Sequence, residues 1–200
     1  MVVAFDNNIL CLLLHPDADI PNDPATGAPV VRAQDRMSYL VERLREVGAR
    51  LLIPAPVLSE FLTYADPEYL VEINQSAYFE IAPFGERAAV EAAQALRRAI
   101  REGKGKKLGS KSPWQKVKID WQIAAIAKVG NATEVYTTDP DVATIASYGG
   151  LRAIHIADLP LPPSEEPRLP FDHGTASPPS DSTEPEPPSG QSPDDEPMKG

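Results

Sequence analysis

The chain has 200 residues, 42% of them apolar, which suits one domain with a real core. Its net charge is −10, but residues 161–200 carry 9 acidic and 2 basic residues, so residues 1–160 stand near −3 and their acidity does not exclude a nucleic-acid partner. Cys11 is the only cysteine, which excludes a disulfide within the chain, and the longest apolar run near the start, Ile9 to Leu14, falls far short of the roughly 20 residues that span a bilayer. With no basic residue ahead of that run, no secretory signal is expected. These features predict a cytoplasmic chain with no membrane partner.

Val2 to Phe5 is a short apolar run ended by Asp6-Asn7-Asn8, the pattern of a buried parallel strand. A helix is expected from Ile9 to Leu14, stopped at His15-Pro16. Residues 16–31 contain four prolines and three aspartates and read as a long, functional or mobile loop. Met37, Leu40, Val41, Leu44 and Val47 mark one stripe of a helix over 33–47 that Gly48 ends. Arg50–Ile53 reads as a strand and Val57–Tyr64 as a helix. Asp66-Pro67 caps a further helix to about Asn74. Tyr78–Ala82 is a third strand and Glu86–Arg101 an alanine-rich helix. Residues 103–113 are mainly glycine, lysine and serine, expected as a flexible basic loop. Helices over Ile119–Val129 and Asp141–Tyr148 then alternate with strands at Glu134–Thr138 and Arg152–Ile156.

Alternating strands and helices predict an α/β domain over residues 1–160, three layers (α/β/α) around a mainly parallel sheet. Residues 161–200 hold 11 of the chain's 22 prolines and few aliphatic residues, and are expected to be a disordered acidic tail.

In a parallel α/β sheet, ligands bind beyond the carboxyl ends of the strands. Asp6 follows the first strand; Thr137, Asp139 and Asp141 follow the fourth. Glu60 is expected in the first turn of the helix after the second strand, and Asp120 in the first turn of the helix leading to the fourth. Carboxylates crowded at one rim repel unless a cation joins them, and an all-oxygen set suits Mg²⁺ or Mn²⁺. Nine basic residues lie between Arg97 and Lys118 against one acid, Glu102. A basic segment ending beside an acidic site fits a nuclease, because the phosphate backbone must be drawn to a negative centre. Lys111, Lys116 and Lys118 are the candidate RNA contacts. Trp114 is either a stacking platform for a base or a core anchor.

Four segments, Val3-Ala4-Phe5-Asp6-Asn7-Asn8-Ile9-Leu10, Ile53-Pro54-Ala55-Pro56-Val57-Leu58-Ser59-Glu60-Phe61, Asp120-Trp121-Gln122-Ile123-Ala124-Ala125-Ile126-Ala127 and Val135-Tyr136-Thr137-Thr138-Asp139-Pro140-Asp141, resemble in order the four motifs of PIN-domain ribonucleases, including the VapC-like group. The resemblance covers about residues 1–158. It implies a PIN-like fold and a Mg²⁺- or Mn²⁺-dependent endoribonuclease, with Asp6, Glu60, Asp120 and Asp139 as catalytic, metal-binding acids and Asp141 as an accessory ligand. It also implies that Thr137 and Asn7 steady the acids or water, although Asn7 stands where a Thr or Ser is common. Many such proteins are toxins of bacterial toxin–antitoxin pairs, so an antitoxin and a homodimer are the implied protein partners, with RNA as substrate. Capping of the last long helix is expected to fall to Asp141, leaving Asp139 for metal. The alternatives are a non-catalytic PIN-like module that binds RNA or protein, and an acid-phosphatase-like or response-regulator-like α/β domain using Asp6 as phosphoacceptor. The second would usually carry another acid two residues on, where this chain has Asn8.

Overall fold

A computed structural model describes residues 1–15 and 17–163. The expected tail over 161–200 lies, apart from its first three residues, outside the described residues. Strands β1 (Val2–Phe5), β2 (Arg50–Pro54), β3 (Phe79–Ala82), β4 (Glu134–Tyr136) and β5 (Arg152–Ile154) form a single sheet in the order β3-β2-β1-β4-β5. Every neighbouring pair is parallel, so the sheet is wholly parallel. Among the described residues seven helices surround it: α1 (Asn7–Leu14), α2 (Ala33–Glu46), α3 (Ala55–Tyr64), α4 (Glu68–Gln75), α5 (Glu86–Arg101), α6 (Trp114–Val129) and α7 (Pro140–Tyr148), with a 3-10 turn at Ile156–Asp158. The α/β class and the three layers are as the alternation of elements predicts.

Strand alternation builds the layers. Val3 and Phe5 of β1 point into one core with Ile9, Leu12, Met37, Leu40 and Leu44 of α1 and α2. Val2 and Ala4 point into the other with Phe61, Ala95, Ala99, Trp121, Ala124 and Ile145 of α3, α5, α6 and α7. The alanines of α5 let α6 approach closely. Helix α6 is buried on most sides; Ile123 through Ala127 are all in the core. A helix buried this way carries no amphipathic stripe, which explains why its start is hard to read.

That start is the main correction to the predicted elements. Helix α6 begins at Trp114 rather than Ile119, with Pro113 as its cap residue. Asp120 therefore lies in the second turn, one turn beyond Lys116. Helix α3 likewise begins at Ala55, which moves Glu60 to its second turn. Val47 lies off the α2 stripe, as an exposed residue past the last turn.

Neither predicted loop is loose. Residues 21–30 fold back as a small turn: Asp23 N–H donates to Ala28 O (2.8 Å), Val30 N–H to Pro21 O (2.9 Å), and Val30 is buried. In the basic loop, Trp121 Nε1–H donates to Lys106 O at 2.9 Å, and Lys106 lies over the Trp114 ring. Gly103, Gly105 and Gly109 all have positive φ, so they shape tight turns and do not merely loosen the segment. Trp114 packs against the core from the start of α6, which favours the anchor role over a free stacking platform.

The order of strands locates the crevice. From β1 the chain moves outward through β2 and β3, then returns to the other side of β1 for β4 and β5. The connection switches direction between β1 and β4, and in such sheets that point opens a crevice at the carboxyl ends.

Candidate metal centre at the switch point

Asp6 and Thr137 sit side by side at that crevice because each is the first residue after its strand. Asp6 caps α1: its Oδ1 accepts from Asn7 N–H at 2.8 Å. Thr137 Oγ1 donates to Asp6 Oδ2 at 2.6 Å and accepts from Asp139 N–H at 3.0 Å. One buried hydroxyl thus ties the acid after β1 to the segment after β4. Burial pushes the Asp6 carboxyl above its ordinary pKa. The bonds from Thr137 and Asn7 oppose this, while the charges of Asp139 and Glu60 add to it.

Asp139 caps α7, accepting from Asp141 N–H through Oδ1 at 2.8 Å. The capping expected of Asp141 belongs to Asp139, because α7 starts at Pro140. The cap uses only one oxygen and leaves Oδ2 facing the crevice. Asp141, in the first turn, accepts instead from Ser112 Oγ–H at 2.6 Å, which holds its carboxyl below the ordinary range.

Three carboxylates converge on one point. Lys116 Nζ lies 2.7 Å from Asp139 Oδ2, 3.1 Å from Asp120 Oδ2 and 3.4 Å from Asp141 Oδ2. The pair with Asp120 is an i,i+4 contact along α6. Burial pulls the lysine's pKa down, but the bonds to Asp139 and Asp120 outweigh it, so the ammonium is held charged. Asp120 is only 4% exposed, and burial pushes its carboxyl up to about 6 against the lowering effect of Lys116.

Among the described residues, no three His, Cys, Asp or Glu side chains stand ready as a metal site. The meeting point of Asp120, Asp139 and Asp141 holds the Lys116 ammonium. The donor set itself fits a hard divalent cation: three carboxylate oxygens already surround one positive charge, with Asp6 beside them through Thr137.

The remaining predicted residues divide. Glu60 is exposed on α3, and its charge reaches Asp6 and Cys11 across α1, so it borders the cluster without joining it. The Asn7 side chain accepts from Cys11 Sγ–H at 3.6 Å, and its backbone N–H donates to Asp6. Lys111 and Lys118 are exposed, with Lys118 turned away from the face of α6 that carries Lys116 and Asp120, whereas Lys116 is engaged with the acids. Sequence reasoning missed Ser112 and Asn8, whose Nδ2 donates to Thr138 Oγ1 at 2.8 Å. Ser112 directly precedes Pro113, a helix-start signal that would have placed it near the cluster. His155 is a structural cap, its Nδ1 accepting from Ala157 N–H. A cleft of about 460 Å³ runs from Thr138 and Asp139 along Thr144 and Ser147 to His155, with Asn22 at its edge.

Thr137→Val keeps the shape of the strut and removes both its hydrogen bonds. It leaves a buried carboxylate oxygen and a backbone N–H without partners, at an expected cost of about 1–3 kcal/mol. Urea denaturation checks this; an unchanged midpoint would mean that the hydroxyl is not the tie between the two segments.

No helix among the described residues is long and apolar enough to cross a membrane. No family model matches the sequence, and no curated protein matches it. Among solved structures, the chain is similar to a crystal structure of VapBC2 from Rickettsia felis bound to a DNA fragment from their promoter, with a TM-score of 0.47 and 16% identity over 78% of this chain and 98% of that one.

Proposed function

We propose that this chain is a metal-dependent endoribonuclease that hydrolyses RNA phosphodiester bonds. The observation that carries the reading is the convergence of Asp120, Asp139 and Asp141 on one cation position at the switch point, with Asp6 tied in by Thr137. The motif resemblance to PIN-domain ribonucleases supports the choice of RNA. So does the basic segment from Arg97 to Lys118, which leads into the helix carrying Asp120.

Asp120, Asp139 and Asp141 would hold Mg²⁺ or Mn²⁺, with Asp6 and Glu60 completing the acidic rim. When bound, the ion supplies a Lewis acid for a phosphoryl oxygen and activates water as the nucleophile. The chain's own contribution is placement. The α7 cap fixes the Asp139 carboxylate and Thr137 fixes Asp6, so the negative groups do not have to be ordered during the reaction. Lys111, exposed next to Ser112, and Lys118, exposed on another face of α6, supply positive charge that draws the phosphate backbone toward this end of the molecule. As a toxin of a toxin–antitoxin pair, the protein would have an antitoxin as partner, would form a homodimer and would act in the cytoplasm.

One observation favours the alternative, a non-catalytic module that binds RNA or protein: Lys116 already satisfies the three carboxylates without a metal. Labelled single-stranded and structured RNAs, and DNA, incubated with Mg²⁺, Mn²⁺ or chelator separate the two. The nuclease cuts RNA only when metal is present, with Asp120→Asn protein as background. RNA binding without cutting in any metal would sink the enzyme reading in favour of the module.

A further inference from the structure

We propose that Lys116 is a built-in competitor for the divalent cation, occupying its place in the metal-free protein and swinging out when the metal binds. This rests on the reading of the three acids as a metal site. The ammonium sits 2.7–3.4 Å from one oxygen each of Asp139, Asp120 and Asp141. A Mg²⁺ ion needs these oxygens at about 2.0–2.1 Å. A metal at that meeting point leaves no room for the nitrogen, so the two cations exclude each other.

The lysine is suited to leaving. Its side chain is 41% exposed, so a path to water is open, and its ammonium is a point charge on a flexible four-carbon stem. Its backbone is fixed in the first turn of α6, one turn before Asp120, so the displaced ammonium stays tethered at the mouth of the crevice. While it is in place it offsets one of three negative charges and keeps the carboxylates gathered. The protein thus holds its acids together without metal, at the cost of weaker metal binding.

Calorimetric titration of the full chain with Mn²⁺ tests this, comparing the unaltered protein with Lys116→Met, Lys116→Gln and Lys116→Arg. Removing the competing charge in Lys116→Met should tighten Mn²⁺ binding by about tenfold or more, the scale of coupling between two ligands that oppose each other. Lys116→Gln, which keeps a polar donor, should do the same if the methionine variant does not fold. Lys116→Arg keeps a cation and should stay close to the unaltered protein. Thermal unfolding gives a second readout: the neutral variants should melt lower in chelator and gain more from Mn²⁺ than the unaltered protein. Equal or weaker Mn²⁺ binding by the neutral variants, with clear binding by the unaltered protein, would overturn the competition while leaving the metal site intact. No Mn²⁺ binding by any of the four proteins would overturn the metal-site reading and the competition with it.

Discussion

Asp120→Asn should abolish cleavage while making the metal-free protein more stable at neutral pH. The loss follows from the proposed role of the carboxylate as a metal-holding group. A bound metal supplies several kcal/mol of transition-state stabilisation, and about 4 kcal/mol corresponds to about 10³-fold in rate. The gain in stability follows from the raised pKa. Asp120 has an ordinary value of 3.8 and is pushed up to about 6 in the fold, by burial first, with the Asp139 and Asp141 charges adding to it against the lowering effect of Lys116. A carboxyl whose folded pKa lies above its unfolded value stabilises the protein below about pH 4. That contribution is lost as pH rises through about 6, where the folded state must release the proton. At pH 7.5 the ionised group is therefore a burden of about 3 kcal/mol that the neutral amide removes. Such a difference should raise the melting temperature in chelator by roughly 6–12 °C for a domain of this size, and the gap should close near pH 4. A gap that persists at low pH would show that ionisation is not its source. Activity retained at a tenth or more of the unaltered rate would remove Asp120 from the chemistry.

The same residue shows what sequence could and could not reveal. Asp6 and Asp139 were legible because Asp6 directly follows β1 and Asp139 follows β4 within three residues, and a parallel sheet gathers its functional groups at strand ends. Asp120 was legible as an acid at the head of an apolar helix, but its surroundings were not. With the helix begun at Ile119, Lys116 belongs to a loop and reads as one more phosphate contact. Begun at Trp114, the same lysine stands four residues before Asp120 on one face. The signal that could have moved the boundary was Pro113. It was masked by the Gly-Lys-Ser run ahead of it and by the want of an amphipathic stripe in a helix buried on most sides. The ion pairs to Asp139 and Asp141 depend on how α6 and α7 cross, which no local pattern encodes. The exchange of capping between Asp139 and Asp141 shows the same limit at one-residue scale. Either aspartate can cap, and tertiary packing sets which turn comes first.

Trp121→Ala should destabilise the fold by about 3–5 kcal/mol, the usual cost of emptying a buried aromatic site. Trp121 is 4% exposed and packs edge-on against Tyr148 with ring centroids 6.0 Å apart. It lies next to Asp120 on α6, and its Nε1–H holds the basic loop through Lys106 O. Tyr148 in turn receives Arg98 and Lys104 on its ring and donates its hydroxyl to Glu102. One side chain therefore joins the α5–α6–α7 core to the loop that delivers Ser112 to Asp141 and Lys116 to the three acids. Trp121→Phe keeps an aromatic ring in the core and loses the N–H together with a smaller part of the buried surface, so comparing the two variants weighs packing against loop anchoring. Trp121→Phe should cost about 1 kcal/mol in denaturant unfolding. It should also leave the backbone after Lys106 more open to limited proteolysis by trypsin in the native state. Wild-type resistance there, combined with full loss of stability only in Trp121→Ala, would show that packing alone holds the loop and that the indole N–H contributes nothing to it.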